Sequence, residues 1–247
     1  MKKQLTIATY NICHGLNFEG YPNHNKMVDL ETTARSASIL KADILGLNEV
    51  YNSGNAQLSK QAERLALLCN IPYHTFARAI TLQYEEAADY GNALLSKYPI
   101  LSVETFSIVP DSREGDGYYE DRVVLKAVVD VGIPIVVLVT HFGLNPSEQE
   151  KMLEILLPII DKEEGPLILM GDFNLHPNSP YLRSIYERLQ DAAEVLNKRN
   201  FTFSTYESKE TIDYLFFSKH FKIQEFEVVD VRTSDHFPIK AIVELEI

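Results

Sequence analysis

Two apolar runs, Val123 to Val131 and Ile133 to Thr140, are separated by a single residue, Gly132. A connection that short can only turn the chain back on itself. The two runs must therefore pair as an antiparallel hairpin, and a sheet that contains them cannot be purely parallel. Further short runs rich in Val, Ile and Leu lie at Leu5 to Asn11, Asp43 to Asn48, Asn92 to Ser96 and Leu167 to Met170, and read as mostly buried strands. Between them lie residues with helical spacing: Leu30, Ala34, Ala37 and Leu40; then Leu58, Ala62, Leu65 and Leu68; then Leu153, Leu156, Leu157 and Ile160. Pro158 is expected to kink or shorten the third helix. The implied fold class is α/β, with sheets of mixed strand direction faced by helices.

The chain has 247 residues, 45% of them hydrophobic, enough to bury a sizeable core, and α/β folds of this length are routinely one domain. No internal repeat, low-complexity tract or Pro/Gly/Ser-rich linker divides the sequence, so residues 1–247 are expected to form one domain. No stretch approaches the roughly 18 to 20 apolar residues of a membrane span. The N-terminus runs from Met1, Lys2 and Lys3 straight into a strand-like pattern, so a cytoplasmic location is expected. Cys13 and Cys69 lie far apart without metal-ligand spacing and read as passive thiols. The 35 acidic and 23 basic residues give a formal net charge of -12, which disfavours long-range attraction to a polyanion such as nucleic acid. A carboxylate metal site counts as negative in that sum, although its cation would cancel much of the charge locally.

Two segments break the compact pattern. Glu19 to Lys26 and Asp111 to Asp121 are rich in Gly, Asn, Asp, Tyr and charge, and the second carries Arg113, Glu114, Asp116, Tyr118 and Tyr119. They read either as plain surface connections or as loops that frame a site.

Polar residues follow one apolar run after another. Leu5 to Tyr10 ends in Asn11, Ile44 to Leu47 in Asn48 and Glu49, Ile135 to Thr140 in His141, and Leu167 to Met170 in Gly171, Asp172, Phe173 and Asn174. Asp213 precedes Tyr214 to Phe217, and Asp235 and His236 stand side by side after a segment read as a loop near the end of the chain. Singly, Asn11 suits a turn, Glu49 a helix start, and Asp172 and Asn174 a loop or cap. Strand ends in layered α/β proteins lie together in space, so jointly these residues can converge on one cleft. Glu49, Asp235 and the amide of Asn11 are hard oxygen ligands that suit Mg²⁺ or Mn²⁺ better than zinc, and His141 and His236 add two imidazoles. A sparse, open magnesium site completed by a substrate phosphate is what phosphate-ester hydrolysis needs.

An ordered set of segments carries a resemblance: Thr9, Tyr10, Asn11; Leu47, Asn48, Glu49, Val50; Tyr90, Gly91, Asn92; Asp121, Arg122; Thr140, His141; Gly171, Asp172, Phe173, Asn174; Thr202, Phe203; and Ile212, Asp213, Tyr214 through Ser234, Asp235, His236. Together they span essentially the whole chain, which resembles the endonuclease/exonuclease/phosphatase superfamily, the fold of deoxyribonuclease I, abasic-site endonucleases, inositol polyphosphate 5-phosphatases and bacterial sphingomyelinases. The resemblance implies a four-layer sandwich, two mixed β-sheets packed face to face with helices on both outer sides, and a divalent-metal phosphohydrolase site at one end. It implies that Glu49 is the principal metal ligand, with Asn11 and Asp235 close to the ion. Asp172 would orient or deprotonate the attacking water, and Asn174 would bond the phosphate or that water. His236 would contact the scissile phosphate with Asp213 fixing its orientation, while His141 and Arg122 match positions that bind phosphate oxygens. Either Asp172 or His236 could be the base.

The sequence departs from the family pattern at Asn48, where glutamine is usual. The shorter amide has the same donor and acceptor but about one methylene less reach, which puts its supporting contact in doubt. Among the other histidines, His14 follows Asn11 closely enough to line the cleft and His24 sits on a candidate rim loop, whereas His74, His176 and His220 read as surface or packing residues. Tyr118 and Tyr119 could stack on a sugar or base, though a chance position in a loop is the plainer account.

The function expected is divalent-metal-dependent hydrolysis of a phosphodiester or phosphomonoester on a small molecule, head group or sugar. A nuclease acting on DNA or RNA is the alternative; nucleic acid is not favoured by the charge, but acidic deoxyribonucleases exist in the same superfamily. A catalytically silent binding module is disfavoured because Glu49, Asp172, Asn174, Asp213, Asp235 and His236 are all present.

Overall fold

The computed structural model describes the chain apart from residues 24–26, 54–58, 84–86, 112, 114–116 and 207–208. His24, Leu58, Glu114 and Asp116 therefore lie outside the described residues. The first sheet takes strands β1 (Lys2–Asn11), β2 (Ile44–Tyr51), β3 (Tyr73–Leu82) and β4 (Ala88–Ser96). The second takes β5 (Ile100–Ile108), β6 (Arg122–Asp130), β7 (Pro134–His141), β8 (Leu167–Asp172), the short β9 (Gln190–Asp191) and β10 (Asp213–Phe217). The chain then returns to the first sheet with β11 (Phe221–Val228) and β12 (Ile239–Glu246). Among the described residues this makes two six-stranded sheets, with spatial orders β11-β12-β1-β2-β4-β3 and β5-β6-β7-β8-β10-β9.

One parallel pair sits within each sheet, β1 with β2 and β7 with β8, and the remaining pairs are antiparallel. The Gly132 hairpin joins β6 to β7 with Asp130 opposite Pro134, and Gly132, at φ 104°, takes a backbone conformation that side chains disfavour.

Three apolar layers hold the sandwich. Leu5, Ile7, Ile44 and Leu94 of the first sheet meet Leu125, Val137, Ile168 and Leu215 of the second in the central core. Helices α1 (Leu30–Ile39) and α2 (Gln61–Leu68) cover the outer face of the first sheet, packing Leu30, Ala34, Ala62 and Leu65 on Ala8, Leu45, Leu47 and Ala93. Helix α3 (Pro146–Lys162) and the short α4 (Arg183–Tyr186) cover the second, and a four-residue helix, α5 (Ala192–Val195), lies against β10 and β11. The structure is thus an α/β sandwich of two mixed sheets with helices outside. No helix among the described residues is long and apolar enough to cross a membrane.

Local sequence sets the helix limits. Asp29 caps α1 by accepting from the Thr32 N–H at 3.0 Å, and Asn145 and Glu148 form a reciprocal capping box ahead of Pro146 on α3. Pro158, expected to kink or shorten α3, does not shorten it: the helix runs on to Lys162. Pro158 and Glu154, whose carbonyl loses its helical donor, are both on the exposed side, where water can replace the bond. Leu68 was expected on the apolar face of α2 but is 47% exposed; that face is made instead by Gln61, Ala62, Leu65 and Ala66.

Gly171, in the last turn of β8, has φ 140°, and a Cβ there would collide with the carbonyl oxygen of Thr140 on the neighbouring strand. Gly171→Ala should therefore destabilise the protein by at least about 2 kcal/mol through backbone strain and displacement of β7 from β8. Urea unfolding followed by circular dichroism measures it, and a change below about 0.5 kcal/mol would show that the strand pair absorbs the methyl.

Candidate active site

Every polar residue singled out at a strand end reaches the same end of the sandwich. Asn11 closes β1 and is paired in register with Asn48 of β2. His141 closes β7 opposite Asp172, which closes β8, and Asp213 opens β10 on the other side of Asp172. Arg122 opens β6. Asp235 and His236 arrive on the segment before β12, where His236 bridges to Phe203 and its ring lies 4.8 Å from the Phe203 ring. Glu49 sits at a break in the β2–β4 register with φ 59°. A bulge of this kind turns a side chain away from the regular alternation of the strand.

The amide of Asn11 is the hub. Its Nδ2 donates to Glu49 Oε1 and to Asp172 Oδ2, both at 3.0 Å, and lies 3.5 Å from His236 Nε2. Its Oδ1 accepts from the Cys13 N–H at 3.0 Å. The nitrogen side of the amide therefore faces Glu49, and Asn11 would have to turn its amide over to present oxygen to an ion.

Asp172 is buried. Its Oδ1 accepts from the Asn174 N–H at 2.9 Å, and its Oδ2 lies 3.5 Å from both His236 Nε2 and His141 Nε2. Burial pushes its pKa up, Asp213 adds to this, and His236 opposes it, leaving the group at about 7. His236 Nδ1 bonds Asp213 Oδ2 at 2.9 Å. Burial lowers the His236 pKa, but the charges of Asp213 and Asp172 outweigh it and raise the imidazole to about 10. Asp172 and His236 titrate as a pair, and the imidazolium is favoured by carboxylates on two sides.

The second imidazole behaves in the opposite way. Burial, then the nearby positive charges of Arg122 and His236, push the His141 pKa well below its ordinary value. Arg122 Nη1 lies 3.1 Å from His141 Nδ1, and a guanidinium can only donate, so Nδ1 accepts and the ring proton sits on Nε2, facing Asp172. Arg122 also pairs with Glu120 at 2.7 Å, both side chains being buried. Arg122 Nε and Asp213 Oδ1 are buried and find no hydrogen-bond partner among the described residues. Asn174, at φ 49°, donates from its side chain to the Phe142 carbonyl and stands 3.1 Å from His141 Nε2.

Glu49, Glu120, Arg122, His141, Asp172, Asn174 and His236 line a cleft of about 470 Å³. Asp235 lies on it, accepting from Ser234 Oγ at 3.1 Å. The donor set fits a divalent cation in chemical type: the partly exposed carboxylates of Glu49 and Asp235 are oxygen-bearing groups lining a polar cleft, with the buried amide of Asn11 bonded to Glu49 behind them. Of the loops expected to frame a site, the 111–121 segment does so through Tyr118 and Glu120. In the other, Tyr21 packs against Phe18 and Tyr206.

Sequence reasoning gave no role to several residues. Glu120 holds Arg122, and Asn92 ties the sheets together by donating to the Val123 carbonyl at 2.9 Å. Tyr51 and Tyr90 flank His14, whose Nε2 lies 3.4 Å from Glu49 Oε2. Glu120 carried one usable signal, its two-residue spacing from Arg122, which puts both on one side of an extended chain. Asn48, the departure from the family pattern, keeps its contacts. Its Nδ2 donates to Asn92 Oδ1 and to the Thr140 carbonyl, both at 2.8 Å, and its Oδ1 accepts from the Asp172 N–H at 3.0 Å.

The fold is an α/β sandwich of two mixed sheets with acidic and imidazole side chains gathered at one end. A family model described as the endonuclease/exonuclease/phosphatase family matches residues 8–236, and the chain belongs to that family of phosphoesterase hydrolases, which generally use divalent metals. The chain is 25% identical over 173 residues to an uncharacterized protein, YbhP, of Escherichia coli strain K12; the match takes in 68% of this chain and 66% of YbhP. A structure of an endonuclease/exonuclease/phosphatase from Beutenbergia cavernae superposes with a TM-score of 0.79 at 24% identity, over 98% of this chain and 72% of that one. The mannosyl-6-phosphatase of Bacteroides thetaiotaomicron superposes with a TM-score of 0.70 at 19% identity, over 97% and 99% of the two chains.

Asn48→Ala would leave the Asp172 N–H, the Thr140 carbonyl and the Asn92 amide oxygen without their buried partner. The expected loss is about 2–5 kcal/mol in urea unfolding. A loss below about 0.5 kcal/mol would show that water or a rearranged Asn92 replaces the amide.

Proposed function

We propose that the protein is a divalent-metal-dependent hydrolase of phosphodiesters or phosphomonoesters carried on a small molecule, head group or sugar. The observation that carries the reading is the position of Asn11, whose one amide donates to both Glu49 and Asp172. The carboxylate assigned to the cation and the carboxylate assigned to the attacking water are thereby held on either side of one group. Glu49 would hold Mg²⁺ or Mn²⁺ with Asp235 beside it, while the Asn11 amide keeps its donor side on the two carboxylates and positions them. When bound, the ion would supply positive charge to the phosphate oxygens and acidify a bound water.

The protein's own groups do the rest. Asp172, with its proton affinity raised into the neutral range by burial, accepts a proton from water at Oδ2 while the Asn174 N–H fixes Oδ1. Water oxygen bonds to phosphorus, the ester P–O bond breaks, and His236, kept protonated by Asp213, donates its Nε2 proton to a phosphate or leaving oxygen. Arg122 and the Nε2–H of neutral His141 would stabilise the equatorial oxygens, and an anion there would give the buried Arg122 Nε–H a partner. The acidic balance of the chain and the phosphatase activity in the name of the Bacteroides structure favour a small phosphoester over nucleic acid.

Asp172→Ala and His236→Ala should each lower kcat on bis(p-nitrophenyl) phosphate by at least about a hundredfold in protein that remains folded. Near-normal turnover in either variant removes that residue from the mechanism. Excess chelator should abolish activity and Mg²⁺ or Mn²⁺ restore it; full turnover in chelator would refute the metal requirement. Set beside a panel of sugar and head-group phosphates, plasmid, abasic and single-stranded DNA and RNA should be poor substrates. Efficient cleavage of any of them at micromolar enzyme would make the protein a nuclease.

A further inference from the structure

Next to Glu49 lies a second set of donors that the hydrolytic scheme leaves unused. One potential ligand atom each from Cys13, His14 and Glu49 lies within 4.8 Å of the other two. The short 3₁₀ turn Cys13–Gly15 follows directly on β1. Cys13, His14 and Gly15 all have positive φ, at 42°, 61° and 76°. The turn is clamped on three sides: Asn11 Oδ1 accepts from the Cys13 N–H, Gln61 Nε2 donates to the His14 carbonyl at 2.7 Å, and the Asp29 N–H donates to the Gly15 carbonyl at 2.8 Å. The His14 ring is fixed between Tyr51 and Tyr90, with centroids at 5.2 and 5.5 Å. Its Nδ1 is buried and finds no hydrogen-bond partner among the described residues.

This is the mounting of a ligand more than of a packing residue. Two donors 3.4 Å apart, the separation of His14 Nε2 and Glu49 Oε2, subtend roughly 110° at an ion about 2.1 Å from each, close to a tetrahedral angle. A thiol, an imidazole and a carboxylate form a mixed S/N/O set, which Mg²⁺ uses poorly and borderline transition metals use well. We propose that Cys13, His14 and Glu49 form a binding site for a borderline divalent transition metal of the Co²⁺–Zn²⁺ class. The proposal rests on the reading of Glu49 as the metal carboxylate and narrows it: the two added donors bias the site away from Mg²⁺. Coordination by Cys13 displaces the thiol proton to solvent. Cys13 is thus a ligand, not the passive thiol that its spacing in the sequence suggests.

Co²⁺ is the probe, titrated into metal-free, full-length protein and followed by absorbance and calorimetry. The wild type and Cys69→Ser should both show a near-ultraviolet thiolate-to-cobalt charge-transfer band. Cys13→Ser should lose that band while keeping the visible d–d bands, and His14→Gln should bind Co²⁺ at least about tenfold more weakly. A wild-type cobalt complex without the band, a band that survives Cys13→Ser, or unchanged affinity in His14→Gln would each overturn the site. Hydrolysis of bis(p-nitrophenyl) phosphate by the wild type, assayed on the same preparation with Mg²⁺ and with Co²⁺, separates the two readings. Turnover without the cobalt band overturns the S/N/O site and leaves the hydrolase; the band without turnover does the reverse.

Discussion

The site depends on how the two sheets are held against each other, and the buried amide of Asn48 is the principal tie. It leaves β2 of the first sheet, bonds Asn92 on β4 beside it, and crosses to the Thr140 carbonyl and the Asp172 N–H of the second. Asn92 continues the tie to Val123 on β6. Asn11, Glu49, Asp235 and His236 belong to the first sheet and its connections, whereas Arg122, His141, Asp172 and Asp213 belong to the second. The contacts of Asn11 with Asp172, and of His236 with Asp172 and Asp213, are therefore inter-sheet distances. Apolar packing alone fixes such a spacing without fixing its register; a polar group with three buried partners, each costly to leave unmet, fixes both. The shorter asparagine serves because the sheets approach closely here. A methyl on Gly171 would stand 3.2 Å from Asn48 Oδ1, so glycine at that position is what leaves room for the amide.

The electrostatics of the cluster follow from the same closeness. Asp172 and Asp213 flank His236, and burial together with these charges moves both Asp172 and His236 away from their ordinary pKa values. Burial alone favours the neutral forms of Asp172 and His236; attraction to the two carboxylates preserves a charged imidazole. His141 has Arg122 where His236 has Asp213, and so stays neutral. Two histidines in one cleft thus carry opposite protonation states: burial and then Arg122 keep His141 neutral, whereas Asp213 and Asp172 outweigh burial at His236. That division of roles is what lets one ring supply charge and the other a neutral N–H.

Much of this was legible in the sequence, for identifiable reasons. Strands buried on both faces, such as β7 and β8, announce themselves as continuous apolar runs, and their polar terminal residues stand out against that background. Strands β5 and β11 are edge or near-edge elements with mostly exposed side chains, and β12 alternates buried with half-buried positions, so none forms an uninterrupted apolar run. The same limit applies to the site. Asp172, His236 and Glu49 carry chemistry in their residue type, but the importance of Glu120, Asn92 and the tyrosines around His14 arises from which strands lie side by side. Leu68 went astray because periodicity locates a face but not its edges: it lies beyond the limit of the covered stripe.

An anionic substrate must nevertheless enter a cleft that is itself acidic. Glu49, Glu120, Asp172, Glu210 and Asp235 line it, against Arg122 and a charged His236. Glu120 is engaged with Arg122, and Asp172 is drawn toward neutrality by burial, which leaves Glu49 and Asp235 as the exposed negative groups nearest the reaction. Phosphate brought next to them would meet repulsion at short range, where solvent screening is weakest. A cation between these carboxylates and the phosphate converts that repulsion into attraction on both sides, and it does so only where negative groups remain uncompensated by the protein. The excess of acid at the mouth of the cleft is therefore a requirement of the proposed chemistry: with Glu49 already neutralised by a lysine or arginine, the fold would bind an anion but would have no place for the ion that activates water.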